Sequence, residues 1–298
     1  MKNNKKKLWL VYAIVAMIFW GVWGAFTGLP AENDFPDTLI YCVWAITMIL
    51  PSLFVLGKSG WKVDMDIKSI MYGLIIGFLG AGGQMILFYA VTIGPTYLIF
   101  PIISLSPIVT IVLSMAFLKE RTGLLGGIGI VLALISLPLF EYGGAEDASV
   151  VGEGGESLWF ILAIIVLFAW GVQAYFMKLA NNVMKAESIF FYMTLTGLLL
   201  IPVAILMTDF SKEINWGVNG PYLAAIIQIL NAIGALCLVY AFRFGKAMVV
   251  SPLTNAGAPL MTSIISLLFL GIIPGLYKII GISLALVAAF LLARSTED

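Results

Sequence analysis

The chain has 298 residues, 61% of them hydrophobic and 11% charged, with a mean hydropathy of +1.06. A soluble domain carries about 45–50% apolar and about 25% charged residues, so this composition excludes a soluble enzyme, a nucleic-acid binder and a disordered chain. Net charge is zero, with 16 basic and 16 acidic residues, and no bulk field points to a polyanionic partner.

Apolar runs bounded by charge, Gly or Pro follow in chain order at residues 8–29, 38–56, 70–92, 96–118, 122–140, 157–179, 188–208, 221–242, 248–270 and 276–293. A spanning helix needs roughly 20 apolar residues, and these runs meet that length. The short alternating strands of a membrane barrel are not in the pattern, so helices are expected. Lys5, Lys6 and Lys7 precede the first run. At about 22 residues that run is too long for the apolar core of a signal peptide, and it has an internal copy later in the chain.

Basic residues are sorted by side. With the N-terminus in the cytoplasm, the cytoplasmic segments hold Lys58, Lys62, Lys68, Lys119, Arg121, Lys178, Lys185, Arg243, Lys246, Arg294 and the four lysines before the first run, and only Lys212 and Lys278 fall outside. A tenfold span with both termini cytoplasmic is expected. Glu141, Glu146, Asp147, Glu153 and Glu156 gather in one Gly-rich outer loop, read as a solvated linker.

The halves match at an offset of about 150 residues. Trp20-Gly21-Val22 recurs as Trp170-Gly171-Val172, and Tyr89-Ala90 with Gly94 as Tyr240-Ala241 with Gly245. Pro101 recurs as Pro252, Pro107 as Pro259, and Gly129-Ile130 as Gly281-Ile282. Spaced Pro, Gly and Trp do not match by chance as easily as aliphatic residues do. Each half holds five runs. An odd number makes the second half cross upside down, the inverted repeat of many secondary transporters.

These features resemble the EamA type of the drug/metabolite transporter superfamily, with two EamA repeats. The residues that carry the resemblance are the five-plus-five repeat, Leu118-Lys119-Glu120-Arg121 closing the fourth run, and the Gly-rich fifth run from Gly123 to Gly129. The ninth run ends Leu270-Gly271-Ile272, without a second Lys-Glu-Arg. The resemblance implies an all-α polytopic membrane protein of ten helices. Its first repeat occupies residues 8–140, the acidic outer loop residues 141–156, and the second repeat residues 157–293. It also implies a central cavity lined mainly by spans one, three, four, six, eight and nine, with spans five and ten peripheral. The Trp- and Gly-rich first span is also similar to sugar-transporting branches of the superfamily.

Paired proline-interrupted spans in two halves point to a transporter site. Pro107 and Pro259 fall near the middle of spans four and nine, where each would free the carbonyl four residues earlier. Polar side chains at mid-membrane depth should face a cavity or another helix, not lipid. Asn231 and Gln84 come first, with Gln228, Asn255, Gln173 and Ser104 close behind. Trp20 and Trp170, and likewise Tyr89 and Tyr240, lie at equivalent positions and offer rings for stacking or packing. Lys119, Glu120 and Arg121 sit at the cytoplasmic mouth, where they stop the span or gate it. Trp9, Trp61, Trp159 and Trp216 lie at span ends and read as interfacial anchors. Gly73/Gly77, Gly24/Gly28 and Gly123/Gly127 have the spacing of close helix packing.

No His occurs in the chain, and no Asp, Glu, Lys or Arg lies deep in any run. An intramembrane enzyme has no evident parts here, nor does a buried-carboxylate proton relay. Cys42 and Cys237 read as core residues, with no disulfide, metal or cofactor expected. The expected function is a carrier for a small polar neutral or zwitterionic metabolite, in a bacterial inner membrane. A lipid flippase is the alternative on the same fold. The partners are the small-molecule solute and the bilayer, with no nucleic acid, and a homodimer is possible.

Overall fold

Along the first helix, the computed structural model turns Val11, Ile14 and Ile18 outward and Ala13, Ala16 and Gly21 inward. Large aliphatics face away from the protein and small residues face the neighbouring helices. Helices that associate in lipid pack this way, because small residues let backbones approach. The structure describes residues 8–93, 96–141, 158–270 and 275–294. The basic stretch before the first helix and most of the acidic loop lie outside them.

All regular structure among the described residues is helical. The elements are α1 (Leu8–Phe26), α2 (Leu29–Glu32), α3 (Asp37–Thr47), α4 (Ile49–Lys58), α5 (Ile67–Ile93), α6 (Thr96–Ser104), α7 (Ser106–Phe117) and α8 (Leu124–Glu141). After the acidic loop come α9 (Leu158–Ala180), α10 (Ala186–Leu199), α11 (Ile201–Leu206), α12 (Leu223–Phe244), α13 (Ala247–Leu270) and α14 (Leu276–Arg294). Eight helical stretches are long and apolar enough to cross a membrane, and two shorter apolar helices, Ile102–Phe117 and Leu124–Leu139, stand where runs four and five were read.

Proline sets the breaks. Run four divides at Leu105, and Pro107 begins α7 rather than kinking the middle of a helix. This corrects the reading of Pro107: a proline at the first turn displaces no helical hydrogen bond. Run seven divides at Leu200, just before Pro202. Pro259 meets its expectation, for it lies with Pro252 inside the unbroken α13.

Packing between the two halves is reciprocal. Helix α1 lies against α12 and α13, while its counterpart α9 lies against α5 and α7. Helix α10 packs on α5 as α12 packs on α3, and α8 pairs with α14. Each half therefore supplies the partners of the other. Atomic detail repeats the pattern. Thr262 Oγ1 donates to the Gly21 carbonyl at 3.1 Å, and Thr110 Oγ1 donates to the Gly171 carbonyl at 2.9 Å. Threonine follows proline by three positions in both, in Pro107-Ile108-Val109-Thr110 and Pro259-Leu260-Met261-Thr262.

Glycines mark the close approaches. A Cβ at Gly73 would strike the Tyr192 ring, and one at Gly77 would strike Thr196, where α5 crosses α10. Gly24 packs on Thr262. Gly123 and Gly127 correct the packing expectation, since no described residue lies within 4 Å of a Cβ built on either. Trp9 is a second correction: it is buried, with its Cβ 3.0 Å from a Cβ built on Gly245. Trp61 and Trp216 are exposed at span ends, as anchors should be.

Candidate functional site

Helices α1, α5, α9, α12 and α13, with the broken pair α6/α7, surround a cavity of about 750 Å³. Trp20, Gln84, Ser104, Trp170, Gln173, Asn231, Asn255 and Pro259 line it, so most of the sequence candidates converge on one space. Pro107 is buried beside the cavity and does not line it. Tyr89 is an exposed ring outside the lining, and Tyr240 lies behind the wall in a contact of its own.

Two indoles organise the wall from equivalent places. Trp20 Nε1 donates to Asn231 Oδ1 at 3.0 Å and lies 3.3 Å from the Asn231 carbonyl. Trp170 Nε1 points to the Gly80 carbonyl at 3.4 Å. Gly80 and Asn231 are themselves repeat mates, so one backbone contact is conserved between the halves and one side chain is not. Absence of a side chain at Gly80 admits the Gln173 carboxamide, which would collide with any Cβ there. Gly83 and Gly234 similarly make room for Trp170 and Trp20, with the nearest indole atoms 2.6 and 2.5 Å from a Cβ built on them. Gly80 and Gly83 are thus a seat for side chains of α9.

Other amides are partly engaged. Gln228 Oε1 accepts from Trp23 Nε1 at 3.1 Å, and the Asn255 amide donates to the Ser251 carbonyl one turn earlier at 2.9 Å. These bonds hold the amides in fixed rotamers while their remaining valences stay available. A small lobe of about 60 Å³ opens off the cavity between Trp23, Trp44, Asp37, Gln84, Gln228 and Asn231. Trp44 Nε1 is buried there without a hydrogen-bond partner among the described residues.

Sequence reasoning missed several lining residues. Trp23, Trp44, Asp37 and Lys278 all face the cavity. Spans two and seven contribute through Trp44, Met48 and Met193, and spans five and ten reach it through Leu137 and Lys278. The six spans that the resemblance implies supply most of the lining, and spans two, five, seven and ten add these residues. Asp37 and Lys278 also qualify the absence of charge: the spans carry none at mid-depth, but the cavity reaches helix ends where charge resides. Trp23 was legible in principle, three residues after Trp20 on the same helical face.

Polar contacts join the helices at their Lys- and Arg-rich ends. Lys178 Nζ donates to the Phe242 and Gly245 carbonyls at 2.9 and 2.6 Å, capping α12. A cation at exposed C-terminal carbonyls is favoured by the helix dipole. Glu120 Oε2 accepts from the Met248 backbone N–H at 3.0 Å, and Lys246 Nζ donates to the Arg121 carbonyl at 2.8 Å. The Lys119-Glu120-Arg121 cluster thus engages the start of α13 through backbone groups, with Lys119 in the left-handed region at φ 55°. Asp64 Oδ2 accepts from the Lys185 N–H at 2.7 Å and from Ser188 Oγ at 2.9 Å, tying the halves again. Among the described residues no cluster of metal-ligating side chains occurs, and both cysteines are free.

The comparisons with known proteins agree with this architecture. A solved crystal structure of a protein superposes with a TM-score of 0.75 at 15% identity, covering 94% of this chain and 96% of that one, which establishes the shared fold. The uncharacterized protein MJ1333.1 of Methanocaldococcus jannaschii is 30% identical over 132 residues, 44% of this chain and 95% of that protein. The model of the EamA-like transporter family matches twice, over residues 7–141 and 157–294, and the chain belongs to that family of multi-pass membrane transporters.

Proposed function

We propose that the protein is a secondary carrier that moves a small polar, neutral or zwitterionic metabolite across the cytoplasmic membrane by alternating access. In this reading the ten runs all cross, as two inverted five-span repeats with both termini cytoplasmic. The single observation that carries it is the cavity of about 750 Å³, lined from both matched halves by amides, indoles and hydroxyls. That volume suits a small metabolite. The reciprocal contacts of α1 and α9 support two interchangeable states, because each half could adopt the arrangement of the other. MJ1333.1 supports the repeat reading too, since nearly its whole length corresponds to less than half of this chain.

Uptake by proteoliposomes across a metabolite panel tests the proposal. Combined Asn231→Ala and Gln84→Ala should lower saturable uptake of the transported solute by about tenfold, the effect of losing one or two polar contacts to a bound solute. Uptake indifferent to both substitutions would sink the amide-site assignment.

A further inference from the structure

Tyr240 and Glu187 close the second half at its Lys- and Arg-rich end. The Tyr240 hydroxyl donates to Glu187 Oε1 at 2.7 Å. Its ring stacks on Tyr12 with centroids 5.0 Å apart, and Tyr12 faces Phe244 at 5.9 Å. Glu187 lies in the first turn of α10 and Tyr240 near the end of α12, so these contacts draw α10, α12 and α1 together at one end of the cavity.

The repeat register gives this pair a mate. Tyr89 stands on α5 where Tyr240 stands on α12. Asp37 occupies the first turn of α3 as Glu187 occupies that of α10, and the next residues are Thr38 and Ser188. The residues just before the two helices, Pro36 and Lys185, are both extended, with ψ 142° and 148°. Chemistry is thus kept on both sides: a carboxylate opening one helix and a phenol near the end of its neighbour. Geometry is not. Asp37 lines the cavity, and its carboxylate has no hydrogen-bond partner among the described residues. The Tyr89 ring is 47% exposed.

We infer that Asp37 and Tyr89 are the latch of the opposite state. When the cavity closes on this side, Tyr89 Oη donates to Asp37, and Tyr240 Oη leaves Glu187 as the other side opens. A hydroxyl–carboxylate hydrogen bond is strong enough to bias two states and single enough to exchange. The use of the latch in transport rests on the carrier reading; its existence does not.

Cysteine labelling tests it without any solute. Cys42→Ala and Cys237→Ala remove the native thiols, and Ala258→Cys places a reporter on the cavity wall. A membrane-impermeant maleimide is added on the side away from the Lys- and Arg-rich helix ends. Tyr240→Phe keeps the ring and removes the hydroxyl, and should slow labelling by about tenfold, the shift expected from one lost hydrogen bond to a charged acceptor. Adding Tyr89→Phe to that chain should restore the rate. A short bismaleimide should join Asp37→Cys to Tyr89→Cys in a chain free of all other thiols. An unchanged rate in Tyr240→Phe, no reversal by Tyr89→Phe, or no cross-link between positions 37 and 89 overturns the inference. A chain that exchanges latches but moves no solute overturns the carrier reading alone, and one that transports without exchanging overturns the latch alone.

Discussion

Trp20 and Trp170 occupy equivalent positions, yet only Trp20 meets an amide side chain. Its partner Asn231 corresponds to Gly80, where the space is taken by Gln173. The polar face of the cavity is therefore asymmetric although the scaffold repeats. Gly80→Ala should displace Gln173 and cost about 1–3 kcal/mol, the range for overpacking a filled contact. Gly82→Ala meets nothing within 4 Å and should be neutral or stabilising by up to about 1 kcal/mol, as helical Gly→Ala changes are. Thermal unfolding of the two variants in detergent distinguishes them; equal melting temperatures would refute the seat assigned to Gly80. At this scale the sequence identified residue types well. It placed Asn231, Gln84, Gln173 and Asn255 by depth alone, because a polar group in hydrocarbon must turn inward. It could not identify Tyr240 as a latch, because Glu187 is 53 residues away in the chain.

Helix ends decide how the elements meet. Lys178 reaches from α9 to cap the last carbonyls of α12, and Glu120 accepts from the second residue of α13. Lys178→Met keeps most of the apolar stem and removes the cap. Amide hydrogen exchange at the end of α12, through Phe242 and Gly245, should then quicken several-fold, while the middle of α12 stays protected. Uniform exchange in both regions would contradict the capping role. Thr110→Val and Thr262→Val each delete the hydrogen bond to a glycine carbonyl of the other half, worth the mean membrane strength of about 0.6 kcal/mol, and Thr110→Val also removes the 3.5 Å contact with Ser251 Oγ. Their effects on thermal stability should be alike, since the two bonds are repeat mates. Helix existence was plain from the apolar runs. The break at Leu105 was not, because Pro107 reads equally as a mid-helix kink or as the first turn of a new helix. Span contacts with the cavity were also underread: Trp44 and Asp37 reach it from a helix whose run looks uniformly apolar.

Across the whole molecule, one repeat read at an offset of about 150 residues accounts for the reciprocal packing, the paired threonines and the paired indoles. The molecule's charge is sorted to helix ends, where Lys178, Glu120 and Asp64 tie helices together and Asp37 and Lys278 line the cavity. Periodicity, repeats and depth are local or register signals, so the sequence displays them; latches and caps depend on which helix ends meet, and only the fold displays those. The most direct test of the central claim is solute uptake by proteoliposomes, measured for the unmodified chain beside the Asn231→Ala, Gln84→Ala double variant. The carrier account predicts that at least one small polar metabolite enters saturably with the unmodified chain and about tenfold more slowly with the variant. No saturable uptake by the unmodified chain beyond that of liposomes without protein would contradict it.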